Sequence, residues 1–540
     1  LISLKKINNN VSLFVVNFAV KLKIMSTKIL WADDEIDLLK PHIIFLKNKG
    51  YEVIPVVSGN EAIDALQQQH VDIIFLDENM PGMSGIETMK IIKTIDSHIP
   101  IVMITKSEEE HIMEDAIGSN IADYLIKPVN PNQILLCLKK NIENKKIVTE
   151  KSTIDYQQAF RDISMRISDN LSSHEWELLY KELVYWELKL EEIEDTGISD
   201  ILSEQKYEAN KAFSKFVIKN YKDWLTNSSS DRPELSHTIL KNKLFPLIND
   251  NNPLFLFVID NLRYDQWRAL LPYINDYYRV ESDDTYYSIL PTATHYARNA
   301  LFSGLLPSEI QKKYPQMWLG ENDEGSKNQF EQPLLNEYLK RYGKNIKTSF
   351  SKILNVEFGK KIFDNIHQMM NNQLNVIVFN FVDMLSHART EVDLIRELAE
   401  DEKSYRSVTA SWFKNSIFFD MIKYLSSKKI PIIITTDHGT IKIQKSIKVV
   451  GDKNINANLR YKVGRTLDYP ANQVFEMKNP EEFFLPKEGV THRYIFASNS
   501  DFFAYPNNYN QYVNYYKNTF QHGGISMEEI IIPFIRLSAK

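Results

Sequence analysis

Three apolar strand-like runs after residue 250 each end in an aspartate, and histidines follow two of them closely. The candidate metal ligands, in chain order, are Asp260, Asp383, His387, Asp437, His438 and His522. Carboxylate and imidazole ligands without a thiolate suit Zn²⁺ or Mn²⁺ in a catalytic site that keeps an open position. Two such ions about 3.5–4 Å apart can clamp the entering and leaving oxygens of a phosphoryl transfer. These residue types therefore predict a two-metal centre for phosphoryl transfer.

The spacing of the ligands supports this prediction. Asp383 and His387 are one helical turn apart, so a helix that starts just after the strand points both at one ion. Asp437 and His438 are adjacent in TTDHG and can face a neighbouring ion. A threonine hydroxyl at such an ion becomes a usable nucleophile. The segment PTATHYAR offers two threonines for this role, Thr292 and Thr294.

Each of these residues has an ordinary structural explanation when it is taken alone. An aspartate at the end of a strand is commonly a helix cap, and an isolated histidine is more often a surface or core residue than a ligand. Six possible ligands in four separate motifs, all at predicted strand or turn ends, favour the metal site over that explanation.

A second constellation lies in the first third of the chain. Its members, each just after or at the end of a predicted strand, are Asp33, Asp34, Asp77, Thr105 and Lys127. In a doubly wound sheet these strand ends converge on one edge. Three carboxylates there would hold a hard cation such as Mg²⁺, and one could accept a phosphoryl group. Thr105 and Lys127 would then bind the phosphate oxygens.

The elements that must position these residues form three regions. From Lys28 to about Asn144, five strand-like runs alternate with amphipathic helices, which predicts a parallel sheet covered by helices. Trp176, Leu179, Leu183 and Trp186 then follow at helical spacing in a region without strands. A second α/β region starts near Leu235. We therefore predict four segments: an upstream extension (1–24), an α/β domain (25–145), a helical bundle (146–234) and a second α/β domain (235–540).

Composition limits the remaining possibilities. The 540 residues include 64 Lys plus Arg and 70 Asp plus Glu, for a formal charge of −6. This mildly acidic balance argues against a surface that coats nucleic acid. The one cysteine, Cys137, excludes an internal disulfide and a cysteine-rich metal site. No apolar run reaches the roughly 20 residues that span a bilayer. VSLFVVNFAV in the extension loosely imitates a signal peptide but lacks a cleavage site, so we expect a cytoplasmic protein without membrane insertion.

Residues 28–145 resemble a two-component receiver domain, which has a flavodoxin-like fold. The resemblance implies that Asp77 is the phosphoacceptor and that Asp33 and Asp34 bind Mg²⁺ with it. It also implies that Thr105 and Lys127 are switch residues and that a cognate histidine kinase is the phosphoryl source. Tyr124 occupies the place of the family's rotameric aromatic residue.

Residues 235–540 resemble the alkaline phosphatase superfamily, in the branch that carries the PglZ domain. The resemblance implies two zinc sites, one formed by Asp260, Asp437, His438 and a threonine, the other by Asp383, His387 and His522. Thr294 is the preferred nucleophile because its distance to SGLLP resembles that in the superfamily's nucleotide phosphodiesterases, and Thr292 is its rival. Ala297 stands where those relatives have a phosphate-holding asparagine. Arg298 is the candidate replacement, since a guanidinium can bind phosphate bidentately.

Receiver, helical middle and PglZ domain in this order resemble the PorX-type response regulators of type IX secretion. The resemblance implies a regulator phosphorylated on Asp77 that controls a zinc-dependent phosphodiesterase. Its expected substrates are nucleotides or short cyclic or linear oligonucleotides. The alternative is a phosphorylation-switched scaffold that dimerises and binds secretion-motor or sigma-factor partners without important catalysis. Direct DNA recognition is disfavoured because no basic helix-turn-helix follows the receiver and ELKLEEIED in the helical middle is acidic.

Overall fold

The structure is a computed structural model whose described part has several gaps. It describes residues 27–96, 99–106, 121–191, 196–226, 230–249, 252–391, 396, 398–451, 456–487, 489 and 491–540. The predicted extension 1–24 lies outside the described residues. The chain divides into two compact units, Leu1–Ile154 and Asp155–Lys540. The helical middle and the C-terminal α/β region, which the sequence suggested as separate domains, therefore share one unit.

The first unit is built on a five-stranded parallel sheet in the order β2-β1-β3-β4-β5, the flavodoxin-like order expected from the sequence. Its strands are β1 (Lys28–Ala32), β2 (Glu52–Val56), β3 (Ile73–Asp77), β4 (Ile101–Thr105) and β5 (Asp123–Ile126). Its described helices are a 3₁₀ turn (Ile36–Leu39), α1 (Lys40–Asn48), α2 (Gly59–Gln68), α3 (Gly85–Ile95), α4 (Pro131–Leu138) and a π turn (Lys139–Glu143). All five residues of β3 and of β4 are buried. Pro55 is tolerated in β2 because β2 is an edge strand.

Local sequence fixes the turn that follows Asp77. Ser84 caps α3 in a capping box with Glu87, so the helix start is defined within one residue. A Cβ on Gly85 would clash with the main-chain oxygen of Asp77. Only glycine at this position lets α3 start directly against the end of the strand that carries the carboxylate.

The second unit begins with a three-helix bundle. Its helices are α5 (Asn144–Ser168), within which the boundary between the units lies, α6 (Ser173–Glu191) and α7 (Thr196–Leu225). The four apolar residues at helical spacing, Trp176, Leu179, Leu183 and Trp186, are all buried on α6, as predicted. The bundle core is continuous with that of the α/β region.

The α/β region is built on a six-stranded sheet in the order β7-β20-β10-β6-β9-β8. These strands are β6 (Leu254–Ile259), β7 (Tyr278–Tyr287), β8 (Thr348–Ile353), β9 (Leu374–Phe379), β10 (Ile432–Thr435) and β20 (Ile531–Ala539). The strands β10, β6, β9 and β8 run parallel, so their carboxyl ends lie on one edge. The last strand, β20, is antiparallel to both β10 and β7.

Helices and small sheets complete the unit. The helices are α8 (Tyr264–Ile274), α9 (Thr294–Ser303), α10 (Pro307–Lys313), α11 (Glu331–Arg341), α12 (Val356–Asp364), α13 (Ile366–Met369), α14 (Phe381–Glu391), α15 (Glu402–Lys414), α16 (Ile417–Ser427), α17 (Tyr509–Tyr516) and α18 (Met527–Ile530). The remaining strands are β11 (Ile441–Lys442), β12 (Lys445–Lys448), β13 (Val450–Gly451), β14 (Tyr461–Gly464), β15 (Leu467–Asp468), β16 (Val474–Met477), β17 (Arg493–Ala497), β18 (Asp501–Ala504) and β19 (Phe520–Gln521). They pair as β11-β19, β12-β18, β13-β15 and β14-β17-β16, all between β10 and β20 in the chain.

Aromatic side chains join the bundle to the sheet, which generates a test of their packing. Trp224 on α7 is 1% exposed, and its ring centroid lies 5.5 Å from that of Tyr287 on β7. We expect Trp224→Ala to destabilise the second unit by about 3–5 kcal/mol, because it removes a large buried ring. Leu178→Ala on α6, where the leucine is 48% exposed, should cost under about 0.5 kcal/mol. Equal losses in denaturant melts of the two variants would contradict this packing.

Candidate metal centres

The turn after β6 positions the first ligand. Asp260 follows the strand, and its N–H donates to the main-chain oxygen of Phe379 at 2.8 Å. Asn261 then adopts a left-handed conformation with φ of 68°, which asparagine tolerates better than most residues. The N–H of Leu262 donates to Thr436 Oγ1 at 3.0 Å. These bonds tie the ends of three neighbouring strands together.

Asp260, Asp437 and His438 form the first ligand group. One potential ligand atom of each lies within 4.8 Å of those of the others, and all three residues are buried. His438 Nε2 is 3.8 Å from Asp260 Oδ1 and 3.7 Å from Asp437 Oδ2. Asp437 Oδ2 is buried and has no hydrogen-bond donor among the described residues. A buried carboxylate oxygen without a donor fits a metal ligand, because an ion would satisfy it.

Asp383, His387 and His522 form the second ligand group, again within 4.8 Å of one another. His387 Nε2 and His522 Nε2 lie 3.6 and 3.7 Å from Asp383 Oδ1. Asp383 and His387 lie on α14, one turn apart as the sequence predicted. The His387 side chain is 60% exposed, whereas the His522 side chain is 12% exposed. The second group therefore opens to solvent on the side of His387.

The two groups are adjacent. The rings of His438 and His522 stack with centroids 4.3 Å apart. The N–H of Asn261 lies 3.4 Å from Asp437 Oδ1, and its side-chain amide donates to Asp383 Oδ1 at 3.3 Å. Asn261 thus contacts a carboxylate of each group. Sequence reasoning missed it, although an asparagine directly after a strand-ending aspartate was a usable signal for a left-handed turn.

The two candidate threonines occupy different environments. Thr294 is the first residue of α9, and its Oγ1 lies 3.3 Å from Asp260 Oδ1 and 3.0 Å from His438 Nε2. Thr292 Oγ1 instead donates to the oxygen of Gly524 at 2.9 Å and accepts from the N–H of Gly523 at 3.1 Å. Thr292 therefore holds the turn that carries His522, while Thr294 faces the first ligand group.

Arg298 is not placed as the sequence suggested. Its guanidinium is 1% exposed and lies against the other oxygen of Asp260, with Nη1 2.6 Å from Oδ2. Its Nε donates to Glu331 Oε1 at 2.5 Å. The expectation that Arg298 holds a phosphate oxygen does not fit this position, because the guanidinium is buried between the carboxylates of Asp260 and Glu331.

Burial and neighbouring charges shift the pKa values of Asp437, Asp260 and His522. Burial, followed by the charge of Asp260, raises the pKa of Asp437 to about 6. Burial would also raise the pKa of Asp260, but Arg298 and then His438 outweigh it, so that this pKa is lowered. Burial and two neighbouring imidazoles lower the pKa of His522 well below its usual value. A neutral histidine beside carboxylates is the ligand form that a divalent cation requires.

The first unit contains a third group, Asp33, Asp34 and Asp77, whose ligand atoms also lie within 4.8 Å of one another. Lys127 Nζ lies 2.8 Å from Asp33 Oδ2 and 2.8 Å from Asp77 Oδ2. Burial raises the pKa of Asp77, and the contact with Lys127 opposes this shift. The structure thus brings together the acidic residues and the lysine that the sequence predicted.

The other two predicted switch residues, Thr105 and Tyr124, lie on neighbouring strands. Thr105 is the last residue of β4 and is 5% exposed. Tyr124 lies on β5 and is 36% exposed.

The raised pKa of Asp437 predicts a pH dependence of ion binding. Below about pH 6 an ion must displace a proton from this carboxylate. The apparent Zn²⁺ affinity should therefore fall with decreasing pH, by up to about tenfold per unit for each displaced proton. Titration calorimetry between pH 5 and 7.5 measures this fall. Asp437→Asn should bind more weakly and show a shallower slope; an unchanged slope would contradict the assignment.

Three family models match successive parts of the chain. The response regulator receiver domain matches residues 29–139, and the PorX response regulator linker domain matches residues 146–225. The BREX system PglZ alkaline phosphatase-like domain matches residues 239–537, more than half of the chain. In the part of the chain that the structure describes, we find no helix with the length and apolar character needed to cross a membrane.

Individual relatives match the receiver. The DNA-binding response regulator MtrA of Mycolicibacterium paratuberculosis is 30% identical over 111 residues, which cover 21% of this chain and 49% of MtrA. The chain thus spans about half the length of that curated relative. The regulatory protein VanR of Enterococcus faecium is 28% identical over 160 residues, 29% of this chain and 67% of VanR.

Solved receiver structures match the same region. The chemotaxis protein CheY4 of Vibrio cholerae is 29% identical, with 22% of this chain and 100% of that chain covered and a TM-score of 0.21. A receiver domain from Clostridium thermocellum is 27% identical over 22% of this chain and 98% of its own, with a TM-score of 0.22. The three family models show that the chain belongs to the PglZ alkaline phosphatase-like family, in the receiver, linker and PglZ architecture of a PorX-type response regulator.

Proposed function

We propose that the PglZ domain is a metal-dependent phosphodiesterase with Thr294 as its nucleophile. The observation that carries this proposal is the position of the Thr294 hydroxyl, 3.3 Å from Asp260 Oδ1 and 3.0 Å from His438 Nε2. A second ligand group adjoins this one. Such an arrangement is what nucleophilic attack on phosphorus needs, because nucleophile and leaving group must both be held. Nucleotides or short cyclic or linear oligonucleotides are the proposed substrates.

The chain's own residues define the proposed steps. Thr294 directs its hydroxyl hydrogen toward Asp260 Oδ1, which leaves an oxygen lone pair for in-line attack. The bond from Thr294 Oγ1 to phosphorus forms as the bond from phosphorus to the leaving oxygen breaks. The hydroxyl proton of Thr294 passes to solvent water, and the leaving oxygen takes up a proton from solvent water. Water then hydrolyses the phosphothreonine and restores the hydroxyl. Two ions, Zn²⁺ or Mn²⁺, would polarise the attacking and leaving oxygens when bound.

Backbone groups are the proposed replacement for the phosphate-holding role expected of Arg298. Thr294 begins α9, a ten-residue helix whose N-cap residue, Ala293, makes no side-chain cap. The N–H of Tyr296 donates to the oxygen of Ala293 at 2.9 Å. The N–H groups of Thr294 and His295 are therefore the proposed donors to phosphate oxygens at the positive end of the helix dipole. The exposed side of the second group, at His387, is the proposed route for the leaving group.

We propose that phosphorylation of Asp77 by a cognate histidine kinase regulates this activity. The contacts of Lys127 with Asp33 and Asp77 support it, because a new phosphate on Asp77 would compete for the same ammonium group. Mg²⁺ held by the three acids would neutralise the transferring phosphoryl group. Thr105 and Tyr124 are the proposed switch residues, and the protein is proposed to act in the cytoplasm in regulation of type IX secretion.

A signalling scaffold without important catalysis is the second candidate. Apolar side chains exposed on the receiver favour it, among them Ile91 and Ile95 on α3 and Tyr124 and Ile126 on β5. Such residues can form a homodimer surface after phosphorylation. In this case the PglZ domain would bind a secretion-motor or sigma-factor partner.

The nucleophile assignment is tested with a chromogenic phosphodiester in the presence of Zn²⁺. Thr294→Ala should lower turnover on the order of 10³-fold or more, because no hydroxyl remains at the ligands, while Zn²⁺ content stays close to wild type. Thr292→Ser keeps the hydroxyl that binds Gly523 and Gly524 and should retain most activity. Full activity of Thr294→Ala would refute the assignment, and a wild-type protein inactive with and without a phosphoryl donor would favour the scaffold.

The phosphoacceptor is tested with Mg²⁺ and a small-molecule phosphoryl donor. Asp77→Asn should abolish phosphoryl incorporation measured by intact-protein mass spectrometry, because the amide cannot attack phosphorus. It should also abolish any donor-dependent rise in mass measured by light scattering. Asp37→Asn, at a side chain that is 83% exposed, is the matched control and should behave as wild type. Incorporation that persists in Asp77→Asn would place the acceptor elsewhere.

A further inference from the structure

The side chain of Arg298 is a buried cation with three carboxylates close to it. It lies on α9, about one turn after Thr294. Its Nη1 is 2.6 Å from Asp260 Oδ2 and 3.9 Å from Asp437 Oδ2, and its Nε is 2.5 Å from Glu331 Oε1. Its guanidinium is 1% exposed, and the three carboxylate side chains are at most 2% exposed. Only the contact of Nε with Glu331 is a hydrogen bond, and the contacts of Nη1 are ion pairs; charges this far from water interact strongly.

The two oxygens of Asp260 are used differently. Oδ1 lies near Thr294 Oγ1 and His438 Nε2, at 3.3 and 3.8 Å. Oδ2 faces Arg298 instead. Since the contact with Arg298 fixes one oxygen, rotation of the carboxylate about its own axis is blocked. Only Oδ1 is then presented to the first ligand group.

Glu331 is buried without contacting any predicted ligand. It begins α11, and its other oxygen, Oε2, lies 3.2 Å from Lys352 Nζ on β8. A buried glutamate needs partners, and this one has Arg298 on one side and Lys352 on the other. Its contact with Arg298 Nε sets the direction in which the guanidinium presents Nη1 to Asp260.

We propose that Arg298 and Glu331 are positioning residues that orient Asp260 to bind the ion of the first ligand group, an inference that rests on the proposed function. Partners behind a metal ligand typically change ion affinity by about 10–100-fold when they are removed. If Arg298 acted only through its charge, its removal would change the Zn²⁺ affinity in the opposite direction. A positive charge beside an ion site repels the ion, so its loss would tighten binding. For Arg298→Met the direction of the change therefore separates orientation from charge balance. Glu331→Gln removes a negative charge, which by itself also weakens ion binding, so Arg298→Lys, which keeps the charge, completes the distinction.

The test isolates the first ion in the full-length chain. A background with Asp383→Asn and His387→Ala removes two ligands of the second group, so that competition between the protein and a chelator for Zn²⁺ reports the first site. In this background Arg298→Met and Glu331→Gln should each weaken Zn²⁺ binding by about 10–100-fold. Arg298→Lys should not restore it, because a lysine cannot contact both Asp260 and Glu331 in this geometry.

Glu187→Gln is the matched control. It disturbs another buried Arg–Glu contact, with Arg406 Nη1 at 3.0 Å, but touches no ligand, so Zn²⁺ affinity should match that of the background. In the otherwise wild-type chain, Glu331→Gln should lower kcat for the chromogenic phosphodiester more than it raises KM. Arg298→Lys, which keeps the charge, serves if Arg298→Met does not fold, as judged by thermal melting.

Unchanged or tighter Zn²⁺ binding by Arg298→Met, or background affinity in Arg298→Lys, in a background that binds one ion, overturns the positioning role and leaves the proposed function standing. A wild-type chain that binds no Zn²⁺ overturns both. A wild-type chain that binds Zn²⁺ but hydrolyses no phosphodiester counts against the proposed function, while the affinity series still decides the orientation of Asp260.

Discussion

The central constraint on this structure is the burial of several carboxylates at one edge of a parallel sheet. Because β6, β9 and β10 run in the same direction, the acids that follow them converge: Asp260, Asp383 and Asp437. Like charges in a dry site are costly unless cations or donors compensate them. The chain supplies Arg298 and the buried His438, and a divalent cation would complete the compensation. Without these partners the same sheet edge could not remain both buried and ionised.

A different constraint concerns His522, a ligand that comes from far along the chain and lies shortly before the antiparallel last strand. The small sheets between β10 and β20 carry the chain away from the ligand groups. His522 lies on the segment that brings the chain back to them before β20. Gly523, with φ of 120°, makes the turn there. A Cβ at that position would meet the ring of Tyr461 at 2.6 Å, so glycine is needed on both conformational and steric grounds. Thr292 then fixes the turn through Gly523 and Gly524.

The sequence revealed the ligands better than the residues around them. Helical spacing indicated that Asp383 and His387 share an ion, and its place at a strand end indicated that Asp437 is a ligand. Both signals are local. Thr292 and Thr294 could not be separated by chemistry alone. What distinguishes them is a hydrogen bond to a glycine turn more than 200 residues later in the chain. Asn261 and Glu331 were missed because their roles exist only once distant strands and helices have packed.

The same argument explains why Arg298 was expected in the wrong place. Its spacing from Thr294 is right for a phosphate contact, and a guanidinium is a suitable group for it. The carboxylate of Glu331, on a different helix, decides the matter, because it accepts a hydrogen bond from Nε while Nη1 lies beside Asp260. Spacing along one helix fixes which face a side chain occupies, but not which of two nearby anions it meets there.

Buried ion pairs also define how the helical bundle sits within the second unit. Arg406 on α15 lies 2.6 Å from Asp265 on α8 and 3.0 Å from Glu187 on α6. It contacts Glu191 on α6 as well. Such pairs contribute little net stability, but separating them leaves unpaired charges away from water. A small shift of α6 over the α/β region would therefore be costly even though the apolar contacts around it could slide. The aromatic packing at Trp224 stabilises the contact between bundle and sheet, whereas these ion pairs fix the position of the bundle on the sheet.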